Sequence, residues 1–182
     1  MNVSMWMTRN ALTIGREIPV VEAAAMMARK KVRRLLVAEK REAGLHLLGI
    51  ISTKDVIRAF PPDVNPFAVE APVKGQTPKT AGEIMRTNLL TTTPETPIEE
   101  AAAIMRSEKI GALPVLMKDH LVGIITESDV FRAFVSLFTS DESGARITFD
   151  ATKGEDVFGL LVKLSKRDKV RVLTLIWTHQ EI

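Results

Sequence analysis

The apolar residues in the first third of the chain follow a helical period and then a strand-like one. Val20, Ala23, Ala24 and Met27 recur at helical spacing after Pro19, a residue that suits the start of a helix. Two β-rich runs and a further apolar stretch come next. The pattern predicts, in order, an extended piece at 11–14, a helix from 19 to about 31, strands at 34–38 and 47–52, and a helix at 53–60.

The same pattern returns later in the chain as an internal repeat. A shift of 78 residues aligns Pro19 with Pro97, and it also aligns 23–25 with 101–103. After a polar loop that is four residues longer in the first copy, a shift of 74 aligns Gly49 with Gly123. Two copies of one unit imply a duplication and a pseudo-twofold arrangement of equivalent halves. The second copy predicts a helix from Pro97, strands at 113–117 and 121–126, and a helix at 127–137.

Two segments lie outside the repeats. Residues 61–79 carry five prolines and no helical periodicity, which is typical of a linker. Further along, the pattern predicts one βαβ unit, too small to fold alone, with a strand at 145–151, a helix at 155–165 and a strand at 170–177. We therefore expect a first repeat at 1–60, a linker at 61–79, a second repeat at 80–138 and a tail at 144–182.

Each repeat places a hydroxyl and a carboxylate where a strand meets a helix. Ser52 precedes Asp55 by three positions, and Thr126 precedes Asp129 by the same spacing. The hydroxyl lies beside the free N–H groups of a helix start, which favour an anion, and the carboxylate can accept two hydrogen bonds from a ribose diol. A carboxylate that only stabilises the helix dipole is the alternative for either residue alone. Its recurrence in both repeats favours a ligand site.

These junctions carry a family resemblance. Residues 49–56 (GIISTKDV) and 123–130 (GIITESDV) resemble the signature of CBS domains, and 85–88 (MRTN) and 110–115 (IGALPV) resemble that family's opening and mid-strand motifs. The resemblance implies an α+β fold of tandem CBS domains, each a β-α-β-β-α unit, paired as a Bateman module. It further implies a homodimer that binds an adenosine-containing nucleotide in clefts between the domains and regulates an unidentified protein.

The resemblance implies two ligand sites of different character. The second-repeat site comprises Thr96, Ile110, Gly111, Ala112, Leu113, Pro114, Thr126, Ser128 and Asp129. The first-repeat site comprises Ile18, Val32, Arg33, Arg34, Leu35, Ser52, Lys54 and Asp55. The second repeat offers small residues where a base can enter. In the first, the basic residues either reach ligand phosphates or form a solvated basic surface at the helix end.

The tail from about residue 144 resembles the first βαβ half of an ACT domain. Proteins related to acetoin utilisation join two CBS domains and an ACT domain in this order. The tail has Thr152–Glu155 where that family has an Asp-x-Pro-Gly turn, and it resembles a truncated ACT domain. Whether it binds an amino acid stays open.

Composition narrows the function classes further. The chain has no cysteine, which excludes disulfides and thiolate catalysis, and His46, His120 and His179 lie far apart. A net charge of +3 is compatible with an anionic small molecule but too small to predict nucleic-acid binding. No apolar run approaches the roughly 18 residues of a membrane span, so we expect a cytoplasmic protein.

Motifs of catalysis are absent from the sequence, which favours a regulatory binding module over an enzyme. The expected ligand is a nucleotide of the AMP, ADP or ATP class, with no further cofactor and no metal. The alternatives are a structural or interaction dimer with decayed pockets, an S-adenosylmethionine-binding module and a nucleic-acid-associated protein.

Overall fold

The computed structural model describes residues 1–42, 44–61, 64–67, 79–138, 156–169, 171–172 and 175. The chain divides into two compact units, Met1–Val130 and Phe131–Ile182. The first unit holds both repeats up to the first turn of the closing helix of the second. The predicted linker lies mostly outside the described residues, and so does the predicted strand at 145–151.

The elements of the first unit follow the repeat. In the first repeat they are α1 (Val3–Trp6), β1 (Thr8–Arg9), β2 (Thr13–Ile14), α2 (Val20–Lys30), β3 (Arg34–Arg41), β4 (Gly44–Ser52) and α3 (Thr53–Arg58). In the second they are α4 (Ala81–Ile84), α5 (Ile98–Ser107), β5 (Ala112–Met117), β6 (His120–Thr126) and the start of α6 (Glu127–Ser136).

Both repeats build the same three-part sheet. In the first, β2 runs parallel to β3, with Ile14 opposite Val37, and β3 pairs antiparallel with β4. In the second, Thr92 forms a parallel bridge to Val115, and β5 pairs antiparallel with β6. The shift of 78 residues that aligns the sequences converts one parallel contact into the other. The duplication is therefore preserved at the level of strand register.

Each sheet is completed by a segment of the other repeat. Strand β1 pairs antiparallel with β6, so that Arg9 lies opposite Gly123. At the equivalent place Arg86 and Ile50 exchange two backbone hydrogen bonds of 3.0 and 3.1 Å. We call Thr8–Arg9 and its equivalent in the second repeat, Arg86–Thr87, the leading segments. They cross between the halves and join them by backbone hydrogen bonds.

The buried apolar residues form two clusters, one between the helices and the sheet of the first repeat and one that joins residues of both sheets. In the first repeat Ile14, Met27, Leu35 and Ile51 pack with other buried residues between α2, α3 and their sheet. A second cluster holds Leu36, Ala38 and Leu121, with Leu47, Ile50, Leu116 and Ile124 against it. Alternate residues of a strand point to opposite faces, which explains why neighbouring residues serve different clusters.

The predicted elements are confirmed with shifted ends. Helices α2, α3 and α5 begin within a residue of prediction, whereas β3 and β4 extend through most of the predicted charged loop 39–46. Two short helices, α1 and α4, were not predicted. The second is marked by a capping box, in which the Glu83 carboxylate accepts a 2.6 Å hydrogen bond from the Thr80 N–H.

The second unit contains the remainder of α6 and the helix α7 (Val157–Asp168). Asp156 caps α7 by accepting a 2.8 Å hydrogen bond from the Gly159 N–H. This agrees with the helix predicted at 155–165. Of the run predicted as a strand at 170–177, the described residues Arg171, Val172 and Leu175 lie outside any strand.

Candidate functional site

The first predicted carboxylate, Asp55, is buried at the start of α3, where only 9% of its surface is exposed. Its Oδ2 atom accepts hydrogen bonds from the Ser52 N–H at 2.9 Å and from the Ser52 hydroxyl at 2.5 Å. The Asp55 N–H donates in return to Ser52 Oγ at 3.3 Å. The hydroxyl–carboxylate pair predicted from the sequence is therefore also a capping box.

The other carboxylate oxygen of Asp55 is held by Arg86 of the second leading segment. The Nε and Nη2 atoms of Arg86 donate to Asp55 Oδ1 at 3.2 and 3.1 Å. Burial would raise the pKa of Asp55, but the hydrogen bonds from Ser52 and the contact with the Arg86 guanidinium outweigh it and hold the pKa below its ordinary 3.8. Asp55 is therefore an ionised side chain that accepts four hydrogen bonds.

The second predicted carboxylate, Asp129, repeats the first half of this arrangement. Its Oδ2 atom accepts hydrogen bonds from the Thr126 N–H at 2.9 Å and from the Thr126 hydroxyl at 2.7 Å. Only 7% of its surface is exposed. The position equivalent to Arg86 is Thr8, whose single hydroxyl cannot supply the paired donors of a guanidinium. The two carboxylates therefore differ in the partner that the opposite leading segment offers.

Arg34 lies against the second repeat, although the sequence assigned it to the first-repeat site. A Cβ atom added to Gly111 would collide with Arg34 Nη2 and would lie 2.7 Å from Oε2 of Glu127. The guanidinium therefore occupies the space beside Gly111 that a side chain would fill. Burial lowers the pKa of Arg34, and Arg33 adds to the effect, while Glu127 opposes it.

An open depression adjoins Asp55. Its volume is about 170 Å³, and its walls are formed by Asp55, Arg58, Ala59, Lys79 and Ile84. Two of these residues are cations, and together with Arg86 they give this end of the first repeat a positive character around a single buried carboxylate. None of the cations was predicted as a site residue.

Three predicted site residues are part of the core. Leu35, Leu113 and Pro114 have less than 2% of their surface exposed. They face inward because the strands β3 and β5 that carry them are covered on both faces. Ile18 and Val32 are partly buried and pack against the first-repeat core. Leu35, Leu113 and Pro114 therefore contribute to the core, and their role in lining a ligand cleft stays a prediction.

The remaining predicted residues lie at the surface or at the ends of the sheets. Lys54, Ser128 and Arg33 are exposed. Ala112 pairs with Thr126 in the β5–β6 ladder, next to the partly buried Ile110 and Gly111. Thr96 Oγ1 lies 3.0 Å from Thr93 Oγ1 in the loop before α5. The structure therefore brings Gly111, Ala112, Thr126 and Asp129 together at one end of the second sheet.

The backbone of a leading segment lies directly against each glycine of the repeated motif. A Cβ atom on Gly49 would lie 2.9 Å from the Arg86 carbonyl oxygen, and one on Gly123 would lie 2.7 Å from that of Thr8. At both glycines the backbone of a leading segment therefore takes the space that a side chain would need.

The described part of the chain contains no cluster of three or more histidine, cysteine or acidic side chains that could hold a metal ion. Within the same residues, no helix combines the length and the apolar character needed to cross a bilayer.

The sequences of the two repeats also match a known protein family. The family model of the CBS domain matches residues 3–62 and 81–136, which is more than half of the chain. This chain belongs to the CBS-domain family. The resemblance of its junction motifs to tandem CBS domains is confirmed, and so is the α+β fold of paired CBS repeats.

Two solved structures resemble the CBS pair over three quarters of the chain. The acetoin utilization protein AcuB from Vibrio cholerae is 30% identical with a TM-score of 0.62, and the match covers 76% of this chain and 93% of that one. The CBS domain pair of protein MJ0100 is 26% identical with a TM-score of 0.60, and the match covers 75% and 97%. That pair was crystallised with 5′-methylthioadenosine and S-adenosyl-L-methionine.

Larger proteins also match this chain over part of their length. Homoserine O-acetyltransferase from Methanohalobium evestigatum is 30% identical over 131 residues, which are 71% of this chain and 23% of the enzyme. The chain spans about a quarter to a third of the length of two curated relatives that it matches.

Proposed function

We propose that this chain is a regulatory module that binds an adenosine-containing nucleotide between its two CBS repeats and transmits occupancy through a homodimer. The observation that carries the proposal is the buried hydroxyl–carboxylate pair, present once in each repeat as Ser52–Asp55 and Thr126–Asp129. We propose no catalytic step for it.

A buried carboxylate suits a ribose because its two oxygens together offer about four acceptor positions for the diol. A hydrogen bond with one charged partner contributes about 1.5–3 kcal/mol. The MJ0100 pair, 26% identical to this chain, binds two adenosine compounds, which supports this ligand class.

The second repeat is the better site. At Asp55, Ser52 and Arg86 already donate four hydrogen bonds, so a diol must first displace the guanidinium. The leading segment opposite Asp129 carries Thr8 at the position of Arg86. We infer that a nucleotide binds first at Thr126–Asp129, because the second repeat carries the small residues Gly111 and Ala112 where the first carries Arg33 and Arg34.

A structural or interaction dimer with decayed pockets is the second candidate. The Asp55–Arg86 contact favours it, since this ion pair ties the two repeats together without any ligand. The two candidates differ in whether a free nucleotide changes the stability of the folded chain.

A thermal-shift titration of the full chain separates them. The ligands are adenosine, AMP, ADP, ATP, 5′-methylthioadenosine and S-adenosylmethionine, with guanosine as the control. A ligand at a hundredfold excess over its Kd stabilises the folded state by about 2.7 kcal/mol. For a chain of this size the melting temperature rises by roughly 5–10 °C. An unchanged melting temperature with every adenosine compound at millimolar concentration contradicts the proposal and supports the structural dimer.

The role of Arg86 is tested by calorimetric stoichiometry. Arg86→Gln frees Asp55 Oδ1, so a second nucleotide per chain should bind, whereas the exposed control Arg29→Gln should keep one. Equal stoichiometry in both variants would show that Arg86 does not close the first-repeat site.

A further inference from the structure

The two repeats carry opposite net charges. Residues 1–60 contain eleven lysines and arginines but five acidic residues, which gives a net charge of +6. Residues 80–138 contain five basic and eight acidic residues, which gives a net charge of −3. In residues 61–79 and 139–182 the acidic and basic residues are equal in number. The net charge of +3 therefore results from two equivalent halves that differ by nine charges.

The difference in charge arises at surface positions that the repeat aligns. Lys30 ends α2, and its equivalent in the second repeat is Glu108, directly after α5. Lys54 lies on α3, and its equivalent on α6 is Ser128. These four side chains are exposed, so the difference in charge between the two repeats is present at the protein surface.

The shapes of the repeats permit a second copy of the chain to bind in two ways. Both repeats build the same three-part sheet, and Ile57 on α3 is equivalent to Phe131 on α6, each of them more than half exposed. In a dimer with twofold symmetry, each repeat can face either its own counterpart or the other repeat of the second copy. We call these the like and the crossed orientations.

Charge distinguishes the two orientations. In the like orientation a repeat of charge +6 faces another of +6, and −3 faces −3, so both contacts are repulsive. In the crossed orientation +6 faces −3 twice, so both contacts are attractive. Complementary charge across an interface suppresses wrong arrangements and fixes the relative orientation of the partners. Where the shape accepts both orientations, the charges therefore decide between them.

We propose that two copies of this chain associate in the crossed orientation, with the basic first repeat of each copy against the acidic second repeat of the other. This inference rests on the homodimer of the proposed function and adds its orientation. Each second repeat, which holds the Thr126–Asp129 pair, then borders the first repeat of the other copy. A nucleotide in the second repeat of one copy thus acts on the first repeat of its partner.

Distances between spin labels on the full chain measure the orientation. The chain has no cysteine, so Ala25→Cys and Ala103→Cys each introduce a single site for a nitroxide label. The two alanines are exposed and equivalent in the repeat, on α2 and α5. Because the positions are equivalent, labels on two facing repeats lie closer together than labels on two repeats that are diagonal in the dimer. Light scattering checks that the labelled chains keep the mass of the wild type.

Pulsed dipolar electron paramagnetic resonance then separates the outcomes. In the crossed orientation, chains labelled only at 25 or only at 103 give the longer, diagonal distance, and an equimolar mixture adds a shorter one. In the like orientation each singly labelled sample already gives the shorter distance, a result that overturns the inference while the dimer stands. If no sample gives a distance and the wild type has the mass of one chain, the homodimer itself is overturned.

Charge variants test whether electrostatics selects the orientation. Replacing three cations by their second-repeat equivalents (Arg29→Ser, Lys30→Glu and Lys54→Ser) lowers the charge of the first repeat to +2, so we expect the like orientation to appear beside the crossed one. The control, Lys31→Gln with Lys109→Gln, removes one charge from each repeat and should keep the crossed orientation. Salt at 1 M, where the Debye length is about 3 Å, should act like the triple variant. Distances that change with neither treatment overturn the inference.

Discussion

Asp55 and Asp129 occupy equivalent positions in the two repeats. They differ in the residue that the leading segment of the opposite repeat carries. Asp55 meets Arg86, while the position opposite Asp129 carries Thr8. A guanidinium saturates the first carboxylate, and a threonine cannot do so. This difference between the two carboxylates therefore lies outside the motif that both repeats share.

The ionised state of Asp55 contributes to stability in a pH-dependent way. Its pKa is lowered in the folded chain, so the contribution is complete above the unfolded value near 3.8 and is lost as the pH falls through the folded value. We expect the free energy of unfolding of the wild type to fall more steeply below about pH 4 than that of Asp55→Asn. Urea denaturation at several pH values measures this.

The control for that experiment is Asp119→Asn, at an exposed turn residue, which should keep the wild-type slope. If Asp55→Asn also shows the wild-type slope, the ion pair does not hold the carboxylate in its charged form.

At the scale of elements, the leading segments make the two repeats interdependent. Each crosses to the other half and lies over a glycine, Thr8 over Gly123 and Arg86 over Gly49. Neither sheet is complete without the opposite repeat. This exchange accounts for the close joining of the halves across the pseudo-twofold axis.

A methyl group at Gly123 should disturb this crossing. Its Cβ would lie 2.7 Å from the Thr8 carbonyl oxygen, which is backbone and cannot move alone. We expect Gly123→Ala to cost about 1–3 kcal/mol of unfolding free energy. The matched control is Gly15→Ala, where the new Cβ meets nothing within 4 Å. Equal stability of the two variants in chemical denaturation would argue against the tight crossing.

The sequence predicts the helices and strands of the repeats well, because the pattern that indicates each element occurs twice, once in each repeat. Helical spacing and β-rich runs marked α2, β3 and their counterparts. The ends of β3 and β4 were missed because the residues 39–46 are largely polar, and an antiparallel ladder can continue through polar residues at a solvent-exposed hairpin end.

Only part of the geometry of the candidate site can be predicted from the sequence. The hydroxyl–carboxylate spacing is local and therefore visible in the sequence. Arg86 lies 31 residues from Asp55, and only the crossing of the leading segment brings them together. Arg34 and Gly111 likewise belong to different repeats, so no spacing rule could identify either contact.

For the whole molecule, exposed apolar residues support assembly. Ile57 on α3 is 55% exposed, and Phe131 and Phe134 on α6 are 67% and 55% exposed. Side chains of this size favour burial against another chain. We expect light scattering to give twice the 20.1 kDa mass of one chain.

Charge on α6 should break this assembly. Phe131→Glu with Phe134→Glu should give the mass of one chain, whereas Met117→Glu, at an exposed hairpin end, should leave the dimer intact. A wild-type chain that runs at the mass of a monomer would refute the dimer.

The central claim is that Asp129 holds the ribose of an adenosine nucleotide. Calorimetric titration of AMP into the wild type and Asp129→Ala tests it most directly. The account predicts binding to the wild type and a loss of about 1.5–3 kcal/mol in the variant, the range for hydrogen bonds to a charged group. An AMP affinity that is the same in a folded Asp129→Ala variant as in the wild type would contradict it.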